Sequence, residues 1–318
     1  MKWKPKVKPL IINLEPEGYS DKAVLMLSEY FDYRVIQPHY PLGEQISDAI
    51  GIITRLAYRI DYDFLAQAKK IKFIATATTG LNHIAEGLDL EIISLKGERD
   101  FLNKITPTAE HTWGLIIALA RQYKKAFSSV ESYFWDRDQN LGMQLFGKTI
   151  GIIGLGRLGF MVAQYAQAFG MRVLYYDIKQ MNVDFREELL SSLLEKSDVV
   201  TIHLPFDSET RDFISHDELS LMKRNALLIN TARGEIVNED ALLYALESGY
   251  IGGAALDVLN GEVTWKGKVP HHNKLIKYAK NNENLLITPH IGGACPDAMR
   301  MTEQFIAQKI IKYYINNI

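Results

Sequence analysis

The segment KTIGIIGLGRLGFMVAQYAQAFGMRVLYYD, residues 148–177, constrains this chain most. An apolar, β-branched run, TIGII, leads into Gly154-Leu155-Gly156-Arg157-Leu158-Gly159. A helical pattern follows as far as Gly170, and a second strand-like run, RVLYY, ends on Asp177. Each part has a task in holding a dinucleotide. Gly154 permits the tight turn, Gly156 lets a pyrophosphate approach the backbone, and Gly159 lets helix and strand pack closely. The helix start, with Arg157 and Leu158, offers N–H groups and a positive dipole end to the phosphates. Asp177 can accept hydrogen bonds from ribose hydroxyls and would repel a 2'-phosphate, which favours NAD over its phosphorylated form. Three glycines alone are weak evidence. Strand, glycines, helix, second strand and acid in this order are strong evidence.

The rest of the chain has the same rhythm. KPLIINL, YRVIQP, AIGIITR, IKFIATAT and EIISL are short apolar runs separated by helical patterns within the first hundred residues. From Thr149 a second series follows: TIGII, RVLYY, VVTIHL, ALLIN, GAALDV and LLIT, with DFREELLSSLLEKS and NEDALLYALESG read as helices between them. Alternation of this kind predicts an α/β fold of two doubly wound parallel-sheet domains, Rossmann-like and flavodoxin-like. At 318 residues the chain is long for one core. Thr106, as cap, and Pro107, at the first turn, open a helix expected to reach Lys125. Its apolar residues run nearly all round, so it should be buried, with the other domain as one candidate partner. The final helix cannot form a domain alone and is expected to pack back on the first. The expected division is 1–102 with 295–318 as a discontinuous substrate domain, and 103–294 as the NAD-binding domain.

Lys+Arg 36 against Asp+Glu 38 gives no global pull towards nucleic acid or an anionic membrane. The lysine-rich start reads as a tail before the first strand, too short in apolar residues for a signal peptide or span. One cysteine, Cys295, excludes an internal disulfide and a thiolate metal cluster. His271-His272 lacks companion ligands, so no metal is expected. These features together fit a cytoplasmic enzyme.

Ligands of open α/β sheets sit beyond the carboxyl ends of the strands. Three such ends carry capable side chains. ALLIN runs into Thr231-Ala232-Arg233-Gly234, GAALDV is followed by Leu259-Asn260-Gly261-Glu262, and LLIT runs into Pro289-His290. Folding can gather Arg233, Glu262 and His290 at one edge. Arginine offers a rigid fork to a carboxylate and a carbonyl oxygen. Histidine exchanges a proton near neutral pH, and glutamate can fix its tautomer. Taken singly, each has an alternative: a surface or phosphate contact for Arg233, a solvated acid for Glu262, a helix-capping or packing histidine for His290.

With these motifs in place, the chain resembles the D-isomer-specific 2-hydroxyacid dehydrogenase family. The resemblance runs from TPTAEHTWGLIIALAR through GKTIGIIGLGRLG, HLPFDSETRDFI, LLINTARGEIVNEDAL and GGAALDVLNGE to TPHIGG. It implies two domains with an active-site cleft between them and interconversion of a small D-2-hydroxy acid with its 2-keto acid. It implies that Arg233 clamps the carboxylate and polarises the keto group, that Glu262 orients the histidine, and that His290 is the acid/base. Asp257 would lie near the nicotinamide amide, His203 and Pro205 on the adenosine side, Thr210 near the phosphates, and Thr231 and Ala232 along the cofactor. Thr79, Gly80 and Leu81 would offer N–H groups to the substrate carboxylate. The resemblance also implies a homodimer, and the apolar helix around Trp113 with Tyr133-Phe134-Trp135 agrees with a buried interface.

The chain departs from the family pattern in two places. Asn82-His83 stands in the substrate loop, where His83 either faces the substrate or starts a helix. Residues 263–284 form a longer connection than usual, with KLIKYAKNNEN read as a short solvated helix. Arg55 resembles a family arginine near the cleft; it either meets a phosphate or second carboxylate, or is exposed. A different class also remains: a non-catalytic, NAD(H)-sensing corepressor on the same scaffold. It would keep the glycine loop without needing the trio.

Overall fold

A computed structural model describes Pro5 and residues 7–265 and 267–317. The lysine-rich tail therefore lies largely outside the described residues. The chain packs as two compact units, Met1–Ile105 with Ala294–Ile318, and Thr106–Gly293.

The first unit holds β1 (Leu10–Asn13), β2 (Asp32–Val35), β3 (Gly51–Thr54), β4 (Phe73–Thr76) and β5 (Glu91–Ile93). They pair in parallel in the order β2-β1-β3-β4-β5. β3 and β4 are buried at every residue, which is why they read as continuous apolar runs rather than alternating ones. One face packs under the Asp21–Ser28 helix and the C-terminal helix Pro296–Asn317, where Phe101 stacks on Phe305 at 4.0 Å and Phe31 meets Tyr314 at 4.8 Å. Ser20 caps the first of these helices by accepting the Ala23 N–H.

The second unit holds β6 (Thr149–Ile153), β7 (Arg172–Tyr176), β8 (Arg186–Glu187), β9 (Val199–Ile202), β10 (Leu227–Asn230), β11 (Gly253–Leu256) and β12 (Leu285–Ile287). Its order, β12-β11-β10-β9-β6-β7-β8, is parallel throughout. The order reverses at β6, so the crevice of a doubly wound sheet lies at its carboxyl end, beside β9. Asn238 and Asn273 cap the helices Glu239–Glu247 and Lys274–Asn281 through Ala241 N–H and Ile276 N–H. Gly249, at φ 68°, stops the former.

Four local expectations are corrected. The helix from Pro107 ends at Ala120 rather than Lys125, because the Ala120 carbonyl accepts the Met143 N–H and Gln122 turns left-handed; a second helix runs Tyr123–Glu131. The apolar faces of the Pro107–Ala120 helix pack on the second sheet and on the Arg157–Ala168 helix, with Trp113 edge-on to Phe169 at 4.8 Å. The Thr106 hydroxyl goes to Glu110 instead of capping the backbone. In DFREELLSSLLEKS, Arg186–Glu187 extends the sheet edge and the helix begins only at Leu190. The Lys274–Asn281 helix is also less solvated than expected, since Leu275 is buried and Ile276 and Tyr278 pack on the core.

Candidate active site

The glycine loop shows what each glycine is for. Gly154 has φ 90°, and a Cβ there would lie 2.9 Å from the His203 carbonyl oxygen. A Cβ on Gly159 would lie 2.1 Å from the Gly154 carbonyl oxygen. Substitution at either would push the strand, turn and helix apart. At Gly156 no heavy atom lies within 4 Å of the missing Cβ, so that side of the turn is open. Gly156 also precedes the 12-residue Arg157–Ala168 helix, whose first turn receives no side-chain cap. Two packed glycines, an open one and an uncapped helix start fit a dinucleotide pyrophosphate.

Asp177 directly follows β7, with its carboxylate turned back on this loop. Oδ2 accepts the Leu155 N–H at 2.8 Å and Oδ1 the Lys179 N–H at 3.0 Å. A carboxylate has about four acceptor positions, so capacity remains for ribose hydroxyls. Beyond β9, the His203 Nε2 meets the Thr201 hydroxyl at 3.0 Å, and burial lowers the imidazole to about 4, so it is neutral at physiological pH. The Thr210 hydroxyl clasps its own loop: it donates to the Pro205 carbonyl at 2.8 Å and accepts the Asp207 N–H. Arg157 is partly buried, which lowers its guanidinium.

Arg233, Glu262 and His290 follow three neighbouring strands, β10, β11 and β12. Asn230, the last residue of β10, is buried and braces the turn after it. Its amide oxygen accepts the Ala232 N–H and its NH2 donates to the Arg233 carbonyl. Thr231 is buried against the Thr112 hydroxyl at 2.7 Å. Gly234 then passes so close to the loop after β11 that a Cβ would stand 2.1 Å from the Leu259 carbonyl carbon. This approach draws the Arg233 and Glu262 segments together. Burial lowers the Arg233 guanidinium, while the Glu262 and Glu235 charges oppose that.

Glu262 follows the left-handed Gly261. Its Oε2 accepts the Leu259 N–H, and its Oε1 is hydrogen-bonded to His290 Nδ1. With Nδ1 committed to a carboxylate, Nε2 is the nitrogen left for proton exchange. The His290 side chain is 30% exposed, and its Nε2 has no hydrogen bond among the described residues.

Asp257 directly follows β11 and is 1% exposed. Burial alone would raise its carboxyl. Hydrogen bonds from His111, Thr288, Ile291 and Gly292 outweigh that and hold it below the usual range. Sequence reasoning did not single out His111, whose only sign was its place in TPTAEHTWG. It also passed over Glu239, which accepts the Asn260 N–H at 2.7 Å and is raised chiefly by burial.

In the first unit, the Thr78 hydroxyl donates to the Gly80 carbonyl and pairs with Thr76, fixing the turn that holds Thr79, Gly80 and Leu81. No helix starts at His83. Its ring is buried, and Ile84 bridges to Ile60. Arg55 is engaged within the unit rather than exposed. It donates to the Glu15 and Glu17 carbonyls at 2.9 and 2.8 Å and lies 3.6 Å from the Glu303 carboxylate.

Comparison with known proteins shows the family. Residues 113–292 match the family model "D-isomer specific 2-hydroxyacid dehydrogenase, NAD binding domain". A glyoxylate reductase of Aeropyrum pernix is 34% identical over 92% of this chain and 89% of its own. A D-3-phosphoglycerate dehydrogenase of Methanocaldococcus jannaschii is also 34% identical, over 85% of this chain but only 51% of its own length, so the chain spans about half of that relative. The structure of Aquifex aeolicus D-lactate dehydrogenase with NAD and lactic acid superposes with a TM-score of 0.82, at 27% identity over 96% and 95% of the two chains. The chain belongs to the D-isomer-specific 2-hydroxyacid dehydrogenase family, NAD-binding oxidoreductases of 2-hydroxy and 2-keto acids. Among the described residues no cluster of His, Cys, Asp or Glu could hold a metal ion, and no helix is long and apolar enough to cross a membrane.

Proposed function

We propose that this chain interconverts a small 2-keto acid and its D-2-hydroxy acid, with His290 as acid/base, Glu262 orienting it and Arg233 binding the carboxylate and carbonyl oxygen. The observation that carries the reading is the His290 Nδ1–Glu262 pair, with Nε2 unbonded among the described residues and the side chain 30% exposed. The bound nicotinamide supplies or accepts the hydride at the substrate 2-carbon. In reduction, His290 donates the Nε2 proton to the forming hydroxyl, and Glu262 stabilises the imidazolium that precedes this step. Arg233, in a partly desolvated setting, stabilises charge on the carbonyl oxygen. Thr79, Gly80 and Leu81 are the proposed backbone donors of the first unit.

The substrate we favour is a small acid of the glyoxylate type, without a phosphate. The relative named a glyoxylate reductase matches over nearly its whole length. Arg55, the cation that could meet a second anionic group, is turned to Glu15, Glu17 and Glu303. We also propose a homodimer, because Tyr133 and Trp135 are 98% and 90% exposed in an aromatic stretch with Phe134. Light scattering at a mass near that of one chain would refute the dimer.

Spectrophotometric NADH oxidation with glyoxylate, hydroxypyruvate, pyruvate and phosphohydroxypyruvate tests the reaction. Turnover with the unphosphorylated acids, fastest with glyoxylate, is expected. NADH binding without turnover of any of them would overturn the enzyme reading in favour of a sensor.

A further inference from the structure

The residues after β12 wrap around the Asp257 side chain. The Asp257 Oδ1 accepts the Thr288 hydroxyl at 2.6 Å and the Ile291 N–H at 2.8 Å, and Oδ2 accepts the Gly292 N–H at 2.7 Å. The Asp257 carbonyl oxygen accepts the His290 N–H at 2.8 Å. Within this wrap His290 has φ 53°, a left-handed conformation that costs a non-glycine residue about 1 kcal/mol or more and persists only when its surroundings impose it. Gly292 must lack a side chain here, since a Cβ would stand 2.9 Å from Asp257 Oδ2.

The far side of this knot is closed by the helix Pro107–Ala120. His111 Nε2 lies 3.0 Å from the Thr288 hydroxyl oxygen and 3.2 Å from Asp257 Oδ1. Proton accounting fixes its tautomer. Thr288 has one proton and gives it to Asp257, so its oxygen faces His111 as an acceptor. The Asp257 carboxylate is an acceptor as well. His111 Nε2 therefore carries a hydrogen and serves both.

We infer that His111 is a positioning residue for His290: by pinning Asp257 and Thr288 it holds the 288–292 loop in the conformation that places His290 Nδ1 on Glu262. The inference rests on the reading of His290 as the acid/base. Without His111, Asp257 keeps its loop donors but loses its link to the helix, and the left-handed turn is less strongly imposed. A displacement of about 1 Å at a reacting group costs on the order of 100-fold in rate.

The test compares His111→Ala with His111→Gln, whose amide N–H can stand where Nε2–H stood. In the Ala variant kcat for keto-acid reduction should fall about 30- to 100-fold, with NADH affinity unchanged. Hydrogen exchange at the Ile291 and Gly292 amides of the apoprotein should quicken about tenfold. Gln should restore both. Wild-type kcat and exchange in the Ala variant would overturn the inference, as would equal losses in Ala and Gln, which would mark a packing role. If the Ala variant does not fold, Thr288→Val breaks the same knot and should show the same two signatures; normal values there would overturn it. If wild type turns over no keto acid, the reading of His290 fails, while the exchange measurement still decides whether His111 pins the loop.

Discussion

Two carboxylates, Glu15 and Asp257, stand just past the ends of strands in different units, and each gathers the loop of another strand. Glu15, beyond β1, accepts the Thr54 hydroxyl and the Arg55 and Ala57 N–H groups after β3. Asp257, at the end of β11, collects the Thr288 hydroxyl and two amides after β12. The outcomes differ. At Glu15 the loop's charged side chain, Arg55, folds back on carbonyls and carboxylates, and the edge satisfies itself. At Asp257 the loop's ionisable side chain, His290, is held by one nitrogen only, and the other has no hydrogen bond among the described residues. The same device closes one sheet edge and presents a reactive group at the other. A strand-end polar cluster therefore marks a site only when some of its bonding capacity is left over.

The sharpest way to break this contrast is to remove the half-engaged imidazole. His290→Ala should lower kcat about 1,000-fold, roughly 4 kcal/mol of barrier, with NADH binding retained. Stopped-flow hydride transfer and fluorescence titration would separate the two effects, and lost NADH binding with normal turnover would reverse the assignment. The self-satisfied edge should respond in stability instead. Arg55→Ala leaves Glu303, 1% exposed, without the cation 3.6 Å away. Breaking such a pair costs about 3 kcal/mol, readable by urea unfolding, while kcat/KM for glyoxylate stays near wild type. A collapse of kcat/KM at unchanged stability would make Arg55 a substrate ligand and erase the contrast. Glu262→Gln should come next, at about 100-fold in kcat, because a neutral amide no longer favours the imidazolium. An unchanged pH–rate profile in that variant would argue against its role.

Much of this was legible beforehand for a physical reason. Parallel strands buried on both faces must be continuous apolar runs, so β3, β4, β6 and β9–β11 show themselves. The glycines show themselves because backbone approach tolerates nothing else at Gly154 and Gly159. The edge strand Arg186–Glu187 was hidden because two exposed residues carry no period, and helical spacing ran on through them. The break at Gln122 carries no glycine or proline and depends on Met143, far along the chain, reaching Ala120. At the site, Arg233, Glu262 and His290 were readable as reactive types at strand ends. Asp257 and His111 do their work through contacts across the fold, and a histidine inside an apolar helix gives no local sign of its partner.

His203 offers the smallest and finest test of the same contrast. It too lies just past a strand end, β9, yet it is closed by neutrality rather than by ion pairing. Burial lowers its imidazole to about 4, against the ordinary 6.5. The unfolded chain therefore binds a proton between those values that the folded chain refuses. Stability should fall as pH drops below 6.5 and go on falling until the folded group itself titrates near 4. One group contributes at most about 1.4 kcal/mol per pH unit in that window. His203→Gln keeps a polar group near Thr201 but cannot titrate. Its urea midpoint should decline less than that of wild type between neutral pH and the acid end of the window, with the two converging above 7. Parallel declines would mean that His203 takes up its proton in the folded chain as readily as in the unfolded one, and would overturn the reading that burial closes this strand end.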